Sequence, residues 1–261
     1  MRRARETGPP SAARRAGDER IGSNMGERDE KPEILETSAG DFRLLEYRFR
    51  GGGREWAVRH VGVILTEEDE TRAIVRKTNH LPYGVSLWPS AIALAREVAG
   101  RADEFRGRRA LELGAGTGLP GIVAASLGAS VVQTDKDELV LRLARRNAEA
   151  NAAAVEHRQA DWENWDDPVR YDWILGADVL YGDSLRPCLR RIFEANLAPG
   201  GRVLLADPSR PGALAFLESL EADGWRMTST RHDVGEGDAR VPVGVHEATP
   251  GGAMVGSMGP R

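Results

Sequence analysis

The chain has 261 residues, 41% of them hydrophobic, enough to bury one sizeable core, and a single α/β domain is the default at this length. Its net charge of -4 lacks the basic excess of a general nucleic-acid footprint, and no apolar run approaches the roughly 18 residues of a membrane span. A single cysteine, Cys188, excludes an intrachain disulfide and a thiolate zinc cluster and fits a reducing compartment, with the cytoplasm the expected location.

Residues 1–31 are rich in Arg, Gly, Glu, Asp and Ala with few large apolar side chains, so this stretch is expected to be a disordered tail. Residues 32–80 form an extension in which two β-like runs, 42–49 and 54–61, flank Gly51-Gly52-Gly53, the pattern of a hairpin. The main domain is expected over 81–248, with a loose tail over 249–261. It opens on a segment leading into a helix with Pro89 in its first turn, apolar Ile92, Leu94, Ala95 and Val98, and Gly100 as its stop. Trp88, just before that helix, is a core aromatic or an edge presented at a ligand entrance, and a tryptophan can serve as both.

The most informative stretch follows. Leu111-Glu112-Leu113-Gly114-Ala115-Gly116-Thr117-Gly118-Leu119-Pro120-Gly121 is an apolar strand running into a glycine turn that opens a helix, with Pro120 near its first position. Such a turn lets the backbone approach a nucleotide-like ligand closely. Gly116 to Gly121 also satisfies the dinucleotide pattern G-x-G-x-x-G, but there the first glycine directly follows the strand. Here the glycine directly after the strand is Gly114, giving G-x-G-x-G (Gly114, Gly116, Gly118) with Glu112 two positions before it. That register is the S-adenosylmethionine (SAM) form. An acidic residue beside the loop favours a ligand with an ammonium and a cationic sulfur and disfavours a pyrophosphate.

The run 130–134 reads as a second strand ending at Asp135, about twenty residues past the turn, where a carboxylate can accept from ribose hydroxyls; the alternative is a helix cap. Asp137 is expected to cap the helix over 138–151. A third strand, 155–160, closes on Asp161-Trp162: Asp161 is placed to accept from an adenine amino group, and Trp162 covers the ring or joins the core. The fourth, 171–177, ends at Asp178-Val179-Leu180-Tyr181, at the strand end where open α/β sheets bind ligands. Ser184 then caps a helix with Leu185, Leu189, Ile192, Phe193 and Leu197 on one face, and 199–201 turns into a strand over 202–206. A helix over 211–223, stopped by Gly224, precedes a strand over 225–231. Val241, Val243 and Val245 alternate as a seventh strand should, with Pro242 interrupting the ladder. The five histidines show no metal-ligand spacing, and no metal is expected.

Trp88-Pro89-Ser90-Ala91, the 111–121 motif, Asp135, Asp161-Trp162 and Asp178-Val179-Leu180-Tyr181, in this order and spacing, resemble the seven-β-strand methyltransferases of family 16 over residues 81–208. Many of that family are protein-lysine methyltransferases with a D-x-x-Y or E-x-x-F signature after the fourth strand. The resemblance implies an α/β fold with a Rossmann-like, seven-stranded class I methyltransferase sheet and helices on both faces. It also implies an N-terminal hairpin shaping the substrate side and Trp88 near the cofactor and substrate entrance. The combined reading is a SAM-dependent N-methyltransferase acting on a protein, with lysine as the acceptor the resemblance favours. Trp88, Glu112, Gly114, Gly116, Gly118, Asp135, Asp161 and Trp162 are expected to hold SAM, with Asp178 and Tyr181 facing the methyl group and acceptor. A small-molecule N-methyltransferase and a SAM-binding regulatory protein without turnover are the two other readings; register disfavours an NAD-linked oxidoreductase.

Overall fold

In the computed structural model, which describes residues 32–251 apart from 39, 79–80, 236 and 238–239, the chain begins with two antiparallel hairpins. The tail expected over 1–31 and most of that expected over 249–261 lie outside the described residues. β1 (Ile34–Thr37) pairs with β2 (Gly40–Arg43), and β3 (Leu45–Gly51) pairs with β4 (Arg54–His60). Gly51 faces Arg54, so Gly52 and Gly53 form a two-residue turn with φ of 55° and 76°, the mirror-image turn that matches the twist of a hairpin. The single run read over 42–49 is broken at Leu44, whose N–H donates to the Glu33 carbonyl (2.8 Å).

A helix not foreseen from the sequence follows, α1 (Glu67–Thr78). Its start is a capping box: Thr66 Oγ1 accepts from the Asp69 N–H and Asp69 Oδ2 from the Thr66 N–H, both at 3.1 Å. The T-x-x-D spacing is the sequence signal for it. After a 3-10 turn over Tyr83–Val85 come α2 (Pro89–Gly100) and α3 (Ala102–Phe105). The alternating portion is β5 (Arg109–Leu113), α4 (Leu119–Ser126), β6 (Ser130–Asp135), α5 (Glu138–Ala150), β7 (Val155–Gln159), β8 (Tyr171–Ala177), α6 (Arg186–Asn196), β9 (Leu197–Asp207) and α7 (Pro211–Ala222). β10 (Arg226–Val234) and β11 (Val241–Thr249) complete it.

The seven strands order as β10-β11-β9-β8-β5-β6-β7, all parallel from β9 to β7, with β11 antiparallel to both its neighbours. The chain runs outward from β5 in one direction and from β8 in the other. The carboxyl ends of β5 and β8 therefore flank a topological switch point, where open sheets of this kind place ligands. β11 is paired with β9 only from Gly244 to Ala248, so the missing N–H of Pro242 removes no bond to β9, and β11 pairs with β10 along its whole length, Pro242 standing opposite Asp233.

Side-chain alternation puts a core on each face. Leu111, Leu113, Ile174, Val203 and Leu205 pack with Leu189, Phe193 and Leu220 of α6 and α7; Ala110, Trp173, Leu175, Leu204 and Ala206 pack with Leu94, Ile122 and Val123 of α2 and α4. The β3–β4 hairpin is fastened to the second core by Phe49, Trp56 and Val58. Its β4 edge is read by α5. Asn147 pairs with both backbone groups of Arg59 and Asn151 with both of Ala57. Four residues of helix rise about 6.0 Å and two of strand about 6.6 Å, so the two ladders stay in step. Two boundaries differ from expectation: β9 starts at Leu197, running through Pro199-Gly200-Gly201, and Leu185, not Ser184, holds the N-cap of α6 with Pro187 in its first turn.

Candidate active site

The turn after β5 carries Gly114, Gly116 and Gly118 at φ of 63°, 55° and 82°, a backbone run that side chains would strain. A Cβ on Gly114 would lie 3.1 Å from Val179 Cγ1 and 3.3 Å from Trp162 Cζ2. Ala115 N–H donates to the Thr134 carbonyl (2.9 Å), tying the loop to β6. Gly114, Ala115, Gly116 and Thr117 line a cleft of about 720 Å³ that runs across the switch point.

Two expected cofactor residues stand behind this loop instead of in the cleft. Glu112, only 1% exposed, lies beneath α4: its Oε2 accepts from the Gly121 N–H at the helix start (3.1 Å) and from Gln133 Nε2 (2.6 Å). Leu111 and Leu113 point to the α6–α7 face, so strand alternation turns Glu112 toward α4. Burial pushes its carboxyl up to about 8. Gly118 also faces inward, since a Cβ there would come within 3.0 Å of Gln133 Nε2. The same packing explains Gly121, where a Cβ would lie 2.6 Å from Gln133 Nε2 and against Glu112. The G-x-G-x-x-G match thus arises from helix packing, and the Glu112 carboxyl group occupies the helix terminus where a pyrophosphate would sit.

The remaining expected residues line the cleft together. Asp135 Oδ2 accepts from the Gly116 N–H (3.2 Å) and Oδ1 from the Asp137 N–H (3.1 Å), so it anchors the loop and does not cap α5; Asp137 is the cap, accepting from the Leu139 N–H (2.8 Å). Burial raises the Asp135 carboxyl. Asp161 accepts from the Glu163 N–H (3.1 Å) and pairs with Lys136 Nζ (2.9 Å), which holds its carboxyl below the usual range. Trp162 stands over Gly114. Trp88 donates from Nε1 to the Tyr83 carbonyl (3.2 Å) and sets its ring edgewise to Tyr83, with centroids 6.1 Å apart.

Across the cleft, Asp178 and the 59% exposed Tyr181 follow β8. Asp178 Oδ1 pairs with the Arg210 guanidinium, which also reaches Asp207 Oδ2 at 3.0 Å. Burial pushes the Asp178 carboxyl up, opposed by Arg210; Ser90 Oγ favours the charged form but makes no hydrogen bond of normal geometry. Arg210 was not singled out from the sequence, although it lies three residues past the end of β9. The β3–β4 hairpin, expected to shape the mouth, contributes no lining residue among the described residues; Glu70 and Ile74 of α1 take that place, with Pro82, Tyr83 and Gly84.

The lining holds six carboxylates (Glu70, Asp135, Asp137, Asp161, Glu163, Asp178) and two cations (Lys136, Arg210), each of the cations paired to a carboxylate. That balance suits a cationic ligand and repels a dinucleotide phosphate. With backbone glycines at the turn, Asp135 beside it and Asp161-Trp162 beyond, the residues fit SAM. Among the described residues, no cluster of His, Cys, Asp and Glu is arranged to hold a metal.

Comparison with known proteins agrees with this geometry. The chain is 39% identical to protein N-lysine methyltransferase METTL21A of Danio rerio over 127 residues, 46% of this chain and 57% of that protein. It is 29% identical to EEF1A lysine methyltransferase 3 of Mus musculus over 162 residues, 59% of this chain and 69% of that one. Histone-arginine methyltransferase METTL23 of Xenopus laevis is 33% identical over 122 residues, 44% of this chain and 52% of that protein. The chain thus spans a little over half the length of the zebrafish relative. Among solved structures, the 16S rRNA methyltransferase RsmC of T. thermophilus, in complex with AdoMet and guanosine, superposes with a TM-score of 0.55 at 21% identity, covering 79% of this chain and 50% of that one, a likeness of fold. The family model described as lysine methyltransferase matches residues 64–223, which include α1, the glycine turn, Asp178, Tyr181 and Arg210; this chain belongs to that family.

Proposed function

We propose that the protein transfers a methyl group from SAM to a side-chain nitrogen of a protein, with lysine as the acceptor. The observation that carries the reading is the pairing, in one cleft, of a glycine turn whose helix terminus is already filled by Glu112 with an acceptor side formed by Asp178 and the exposed Tyr181. SAM, when bound, supplies an activated methyl group on a cationic sulfur. Gly114, Gly116, Asp135, Asp161, Trp162 and Trp88 would hold it, and the chain's remaining task is to align the acceptor.

A lysine ammonium, with an ordinary pKa of about 10.4, must first lose a proton, at a cost of about 4–5 kcal/mol at neutral pH. Tyr83, Trp88 and Tyr181 present aromatic surface to the cleft, which favours the neutral amine by desolvation. Asp178 would accept a hydrogen from that amine and so direct its lone pair. The single cysteine supports a reducing compartment, the cytoplasm, and among the described residues no helix is long and apolar enough to cross a membrane.

The test is incubation of the purified protein with a protein extract and SAM labelled in the methyl group, followed by hydrolysis. Methyl-lysine in the hydrolysate is the expected product. Methyl-arginine, the outcome that likeness to METTL23 raises, would reassign the acceptor, and label confined to the small-molecule fraction would overturn the protein-substrate reading.

A further inference from the structure

Two non-glycine residues with left-handed backbone, Asp178 (φ 59°) and Ser209 (φ 66°), sit just past the carboxyl ends of the neighbouring strands β8 and β9. Residues in this conformation persist only where the surroundings hold them. Asp178 N–H donates to the Ala206 carbonyl (2.9 Å), so the two strand ends are fastened together. Arg210 completes the joint. Its N–H donates to Asp207 Oδ1 (2.8 Å), and Nη1 donates both to Asp207 Oδ2 (3.0 Å) and to Asp178 Oδ1.

Asp207 is fully buried and the Asp178 side chain is 10% exposed, so one guanidinium serves two carboxylates in a region of weak screening. Asp178 Oδ2 is buried and has no hydrogen-bond partner among the described residues, so Arg210 supplies the hydrogen bond to this carboxyl from a side chain. The charged and titratable groups acting around Asp178 are Arg210 and Asp207 from the β9 end and Tyr181 from its own loop, with the Ser90 hydroxyl from α2.

We propose that Arg210 is a positioning residue for Asp178: by spanning Asp207 and Asp178 it keeps the Asp178 carboxylate ionised and fixed at the acceptor end of the cleft. The inference rests on the reading of Asp178 as an acceptor-side residue. Without the guanidinium, two like charges would share a buried joint, and one would take up a proton.

The experiment follows the Asp178 carboxyl by carbon-13 NMR in the full-length protein labelled at aspartate, the resonance being assigned with Asp178→Asn. The variants are Arg210→Lys, Asp207→Asn, and Arg210→Met on the Asp207→Asn background, which leaves no orphaned Asp207 charge. The Asp178 midpoint is expected to rise by about 1–3 pH units in Arg210→Met/Asp207→Asn against Asp207→Asn. A smaller rise is expected in Arg210→Lys, where the charge remains but not the fork. The acid limb of labelled-methyl transfer to protein should move in the same order, with kcat falling while SAM still binds. An Asp178 midpoint that does not move in either comparison would overturn the proposal. Methyl transfer to protein with an unmoved midpoint defeats this inference alone; a moved midpoint in a protein that transfers no methyl to protein defeats the functional reading, and the positioning role with it, and leaves only the charge pairing of Arg210 with Asp178.

Discussion

Single residues in the cleft hold two roles that the structure separates. Asp135 ties the glycine turn to β6 through Gly116 and also faces the cleft. Asp135→Ala is expected to weaken SAM by about 1.5–3 kcal/mol, the scale of a hydrogen bond to a charged group, measured by calorimetry. Unchanged affinity in a folded variant would leave Asp135 only its loop contacts. Glu112 makes a different prediction. Its carboxyl is raised from an ordinary 4.5 to about 8, so between those values the unfolded chain has released the proton and the folded chain keeps it. The contribution of Glu112 to stability is therefore full below the lower value and is lost as pH rises through the window, by about 1.4 kcal/mol per unit. Glu112→Gln keeps the shape and cannot titrate, so urea unfolding should show a slope in the wild type that the variant lacks. Equal slopes in both proteins would mean that Glu112 is ionised when folded.

Between elements, α5 is the hub. Asn147 is fully buried and holds the Arg59 N–H and carbonyl of β4 together with the Thr117 carbonyl of the glycine turn, the last at 2.9 Å. Asn147→Ala strands these groups, each worth about 1–3 kcal/mol when buried and unpaired, and a loss of about 2–4 kcal/mol in chemical denaturation is expected. Because Thr117 also lines the cleft, SAM affinity should fall with it. A stable variant with full affinity would show that the hairpin and the turn are held by packing alone. The hairpin's place against α2 and α5, and that of α1 at the cleft mouth, could not be read from composition: β-like runs and a capping box declare what an element is, not which neighbour it meets.

For the whole molecule, the charge of the cleft governs what enters. With carboxylates in excess and the α4 terminus filled by Glu112, SAM and S-adenosylhomocysteine should bind and NAD should not, by calorimetry on the same preparation. Heat from NAD with none from SAM would reverse the reading of the turn. Much of this was legible in the chain alone. The glycine register, the strands ending at Asp135 and Asp178, and the helix starts at Pro89 and Asp137 are local patterns, set by backbone sterics and by side-chain period within a few residues, and they appear where the sequence predicts them. Tertiary structure decided the rest. Glu112 turned inward because its strand neighbours claimed the other face, and Pro242 removes no bond between β11 and β9 because β9 reaches only part of that edge. Arg210 met Asp178 across 32 residues of chain because parallel neighbours β8 and β9 end side by side. Contacts of that separation depend on which elements become neighbours, a choice made by burying apolar faces over the whole sheet, and no short stretch of sequence contains it.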